Sequence, residues 1–187
     1  GISSIDKSEV KLQATDSNVI NAKEFGIYTK EQGVVNLNAT NANNTVYVEN
    51  GYGISGNNSA ININSQSGNN SIEVAQGITV EANNGSNISV NANKGQNNIK
   101  ASDTAISVNK NNIDKDIANI STDTAIKITG KDNIINATTA IDNIDSGNVE
   151  IIASENNSIN GLVHAENKAN TKIQGKVNYL KNDKDNA

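Results

Sequence analysis

Asp114, Asp116, Asp123 and Asp142 place four carboxylates within one stretch of the chain, a grouping that could bind calcium or supply catalytic acids. Their spacing matches neither the Gly-rich nonapeptide of calcium-binding β-rolls nor an EF-hand loop, and a polar, irregular loop is the simpler account. His164 is the sole histidine. A nucleophile and base must sit within hydrogen-bond reach, and no Ser, Cys or second His stands at a spacing that suggests it, so His164 reads as a surface or edge residue. No serine occupies a G-x-S-x-G elbow. The sequence therefore names no catalytic residue, no metal ligand and no cofactor.

Binding chemistry has one candidate. Phe25, Tyr28, Tyr47 and Tyr52 fall in neighbouring repeats, and Tyr28, Tyr47 and Tyr52 form the candidate binding patch. Aromatic rings on a polar wall can stack against a sugar or a partner protein, although a ladder of rings packed on its own surface needs no ligand. Ser3, Ser55, Thr79 and Ser107 read as an outward hydroxyl column like that of an ice-binding solenoid. Tyr28 and Lys127 interrupt it, and no second hydroxyl column runs beside it.

These residues need elements to hold them, and the elements recur. Val10-Lys11-Leu12-Gln13-Ala14 returns as Val35 to Ala39, Ile61 to Ser65 and Ile88 to Ala92, at steps of about 25 to 27 residues. Apolar and polar residues alternate in each, which predicts short strands with one buried face. A second column keeps the same step through Ile20-Asn21-Ala22, Val46-Tyr47-Val48, Ile72-Glu73-Val74 and Ile99-Lys100-Ala101. A third is read in the Gly-Ile and Ala-Ile pairs at 1, 26, 53, 77, 105, 125 and 140. Three short strands per coil, stacked in parallel, predict an all-β fold: a right-handed parallel β-helix, or β-solenoid, of about seven coils and 30 to 35 Å.

The whole chain, residues 1–187, reads as a single solenoid segment. Regular coils span 1–109, irregular coils or a small loop 110–145, further coils 146–180, and a frayed polar tail 181–187. With no evident cap at either end, the segment looks cut from a longer array.

Composition fits this reading. Aromatics make up 3% of residues and there is no Trp or Met, too little for a globular core but enough for stacked Ile, Val, Leu and Ala. Asparagine occurs 37 times. It tolerates the left-handed backbone of tight corners, and stacked amides can bond to one another, so Asn36 over Asn62, and Asn38 over Asn64 over Asn91, are expected as outward ladders. Glu73 and Lys100 fall in one outward column, close enough to pair. The net charge is −5 and the basic residues are all Lys, so the basic, Arg-bearing stripe of a nucleic-acid binder is missing. No apolar run is long enough to span a bilayer, so no membrane insertion by this segment is expected. With no Cys there is no disulfide framework.

Coils such as GITVEANNGSNISVNANKGQNNIKA, with their Asn-Gly corners and Gly-Ile strand starts, resemble the passenger regions of Gram-negative autotransporter adhesins. The resemblance covers nearly the whole chain and lies in repeat length, composition and strand register. It implies a right-handed β-helix exported through the outer membrane and displayed at the cell surface or secreted. It also implies a non-catalytic role in adhesion and biofilm formation. The implied partners are a protein or glycan receptor on host cells, matrix or other bacteria, or a second rod by self-association. The alternative is a β-helix polysaccharide lyase or hydrolase, which would need clustered Asp, Glu or Lys in a groove walled by long loops.

Overall fold

The structure is a computed structural model that describes residues 1–109 and 123–182. Among these residues there are fourteen strands and no helix. In chain order they are β1 (Ile2–Ser4), β2 (Glu9–Ala14), β3 (Asn18–Ala22), β4 (Phe25–Lys30), β5 (Val34–Ala39), β6 (Asn44–Asn57) and β7 (Ala60–Ser65). Then come β8 (Asn70–Asn83), β9 (Asn87–Ala101), β10 (Thr104–Asn109), β11 (Ala125–Ile144), β12 (Asn148–Ala165), β13 (Asn170–Gln174) and β14 (Val177–Lys181). All pair in parallel within one sheet that winds as a β-solenoid of about six turns.

Three walls enclose the core. The first stacks Val10, Val35, Ile61, Ile88, Ile126, Val149 and Thr171 in register. The second stacks Ile20, Val46, Ile72, Ile99, Ile135, Ile159 and Leu180. The third stacks Ile2, Ile27, Ile54, Val80, Ile106, Ile141 and Val163. Inward residues at alternate positions are fully covered, among them Ile27, Leu37, Ile54, Ile63, Ile88 and Ile128. Each such side chain contributes on the order of 1.5 to 3 kcal/mol through burial, which offsets the ordering of a chain that has few large residues.

Corners repeat as regularly as walls. Between the third and first walls, two successive residues take left-handed backbone at Asp6-Lys7, Glu31-Gln32, Asn84-Gly85, Asp145-Ser146 and Asn167-Lys168. Asp or Asn leads four of these five turns, as their short polar side chains allow. Between the second and third walls Gly51 (φ 112°) and Gly77 (φ 128°) stack directly. A Cβ on Gly77 would lie 2.1 Å from the Gly51 carbonyl oxygen, so only glycine fits there.

Two sequence assignments change. Gly77-Ile78 pairs with Gly51-Tyr52, not with Gly53-Ile54, so Thr79 is buried and donates to the Lys100 carbonyl at 2.6 Å. The hydroxyl column loses Thr79, and Glu81 stands between Ser55 and Ser107. Ala125-Ile126 belongs to the first wall, beside Ile88, because a small-then-apolar pair suits the start of either wall. Of the stretch 110–145 expected to be irregular, 125–144 forms β11. It runs round the walls with register shifts at Gly130/Asp132, Asn136/Thr139 and Thr139/Ile141.

Candidate functional site: the outer walls

The third wall carries the aromatic cluster. Alternation points Phe25 and Tyr52 outward on successive rungs, and their rings stack at 5.5 Å with an interplanar angle of 11°. Tyr28, next to the inward Ile27, tilts at 60° against Phe25 at 5.4 Å. The rings face one another along the rod, so their edges meet the solvent. Below them Ser55 donates to the Glu81 carboxylate at 2.8 Å. The negative charge of Glu81, reinforced by burial, pushes the Tyr52 phenol above its ordinary value.

Tyr47 stands apart. It lies on the second wall in the column Asn21, Tyr47, Glu73, Lys100, and is half-exposed. The structure thus brings Tyr28 and Tyr52 together with Phe25 and leaves Tyr47 round the corner. Lys100 pairs with Glu73 at 2.8 Å, and that hydrogen bond raises the lysine pKa. Both side chains are half-exposed, where such pairs stabilise little.

The acidic residues do not converge among the described residues. Asp114 and Asp116 lie outside them. Asp123 borders the first wall, whereas Asp142 sits on the third and pairs with His164. His164 Nδ1 is 2.9 Å from Asp142 Oδ1, and its Nε2 is 3.7 Å from Glu166 Oε2. The hydrogen bond to Asp142 raises the imidazole pKa. Ser107 neighbours Asp142 on the opposite rung, so the column reads Ser, Asp, His. A nucleophilic relay needs the histidine in the middle, and this order cannot activate Ser107. No group of three His, Cys, Asp or Glu among the described residues is placed to hold a metal.

The outward amides pair as their register allows. Asn62 donates to Asn36, and Asn91 to Asn64, each at 2.9 Å. Sequence reading missed a second, inward ladder. Asn18, Asn44, Asn70, Asn97, Asn133, Asn157 and Asn178 form an unbroken chain, each Nδ2 donating to the next Oδ1 at 2.7 to 2.9 Å. The same Nδ2 groups of Asn18, Asn44, Asn70, Asn97 and Asn157 also donate to a backbone carbonyl of the preceding wall. The signal was Asn-x-Ile/Val/Leu at the start of every second-wall strand, since residues two apart share a face.

Corners at the described rungs take two to four residues and raise no loop above the walls. Between them, the walls are open surfaces of amides, hydroxyls and paired charges, and the first carries a hollow of about 460 Å³ beside Asn87 and Ala125. Comparison with protein families, with curated proteins and with solved structures finds no match to this chain.

Proposed function

We propose that this chain is a rigid, non-catalytic segment of a bacterial surface adhesin, acting through its outer walls. The observation that carries the reading is the form of those walls: three open, polar faces held in register by a tightly packed core, with short corners between the described strands that follow one another directly. Such a face suits many weak contacts, whose sum grows with the number engaged. Its partners are receptors on host, matrix or bacterial surfaces, or a second rod, with the Phe25, Tyr28 and Tyr52 cluster as one point of contact. In this reading the chain is displayed at the cell surface or secreted from a Gram-negative bacterium.

Attachment tests the proposal. Beads coated with the chain are expected to bind epithelial cells, bacterial cells or one another, and incubation with polysaccharides is expected to release no new chain ends. Release of chain ends that grows with protein concentration, in place of attachment, would turn the reading toward a lyase or hydrolase.

A further inference from the structure

The first wall is sunken along one line. Ala60 and Ala125 stand outward in one column, on either side of Asn87, and Ser89 stands in the next column; these short side chains leave the surface low, and the strands at Ile88 and Ile126 form the floor beneath. The hollow holds about 460 Å³. A second hollow of about 280 Å³, beside Val34 and Asn58, is lined by the same Ala60 and Asn87. Together they run along the rod from the rung of Val34 to that of Asn170, five steps or about 24 Å.

The column that lines this groove differs from the columns beside it. Asn87, Asn148 and Asn170 stand in the same outward column as Ala60 and Ala125, and their side-chain amides form no hydrogen bond with any other described residue. In the neighbouring columns Asn62 and Asn91 spend theirs on Asn36 and Asn64. Among the described lining residues the one cation is Lys127, paired with Glu150 at 3.2 Å, and Asp123 is a further anion.

We propose that this groove binds a linear, uncharged polysaccharide lying along the rod, an inference that deepens the adhesive reading above and rests on it. An amide both donates and accepts, as a sugar hydroxyl does, and unspent amides recur along the groove with an apolar floor between them. An anionic chain would need cations in excess, whereas the lining offers one paired lysine and the further carboxylate of Asp123. An extended peptide would need an open strand edge, whereas β7, β9, β11 and β12 are each paired on both sides.

The test is a titration of the ¹⁵N-labelled chain with cellohexaose, with maltohexaose and, as the anionic comparison, with hexagalacturonate. At least one neutral hexasaccharide is expected to shift the side-chain amide signals of Asn87, Asn148 and Asn170 saturably, with Asn64 and Asn91 unmoved. Replacing both Asn87 and Asn148 by Ala, which breaks no internal bond, should weaken binding by about tenfold with the backbone spectrum preserved. Ala125→Phe should fill the groove and abolish binding. Shifts produced by hexagalacturonate alone, by none of the three, or only at residues outside the groove would overturn the proposal. Should beads adhere while no neutral sugar enters the groove, the groove assignment falls and the adhesive reading stands. Should the sugar bind while beads fail to adhere, the reverse holds.

Discussion

Asparagine columns run up this rod on both sides of its walls, and the two kinds have different consequences. Inside, Asn44, Asn70, Asn97, Asn133 and Asn157 are almost wholly buried, and each amide is consumed by the next amide and, in most, by a backbone carbonyl. Outside, Asn62 reaches Asn36 at the same 2.9 Å but does so in contact with water. Equal geometry does not mean equal energy. Water competes for the outer bond and replaces it when broken, while a broken inner bond strands polar atoms in the core. Part of the asparagine richness is therefore core, and only the rest is surface free to act.

Substitutions can break or sharpen this contrast. The largest effect is expected from Asn70→Asp, which removes both donors and sets a carboxylate against the Asn91 carbonyl and the Asn97 Oδ1. The variant should lose about 3 to 5 kcal/mol in urea unfolding. Next, Asn70→Ala leaves the Asn44 donor and the Asn97 acceptor without their partner and should cost about 2 to 4 kcal/mol. Asn62→Ala, by contrast, should cost less than about 0.5 kcal/mol by the same measurement, as exposed substitutions do. Equal losses at Asn62 and Asn70 would erase the distinction between the ladders.

The smallest effect concerns pH. His164 titrates above its ordinary 6.5 in the folded chain because of Asp142, so the folded state holds its proton more tightly than the unfolded state does. That stabilisation is complete below about 6.5 and is lost as pH rises through the raised value. Thermal scans from pH 5 to 9 should show a slight fall in the midpoint across this window, and His164→Gln should remove the His164-linked part of that slope.

Much of the architecture was legible because alternation with one buried face fixes strand register. Val10, Val35, Ile61 and Ile88 align in the structure as they do in the repeat. The inner ladder escaped notice for the same reason, since alternation was read by polarity and a polar residue was placed outside. Asn70 shares the face of Ile72, and only its bonded neighbours make that position tolerable. Gly77 misled differently: a corner glycine with positive φ was matched to Gly53 inside a strand, which carried Thr79 to the wrong side. Tyr47 and Tyr52 are close in sequence but lie on different walls, because the corner at Gly51 falls between them. Linear proximity gave a patch of three tyrosines, while the fold substitutes Phe25 for Tyr47.

The most direct measurement is attachment of beads carrying the intact chain beside beads carrying Asn70→Asp, counted on epithelial cells, on bacterial cells and on one another. If the folded outer walls make the contact, then in urea at a concentration that unfolds the variant but leaves the intact chain folded, the intact chain binds at least one of these surfaces and the variant binds none. Equal sticking of both proteins, or sticking of neither, would contradict the account.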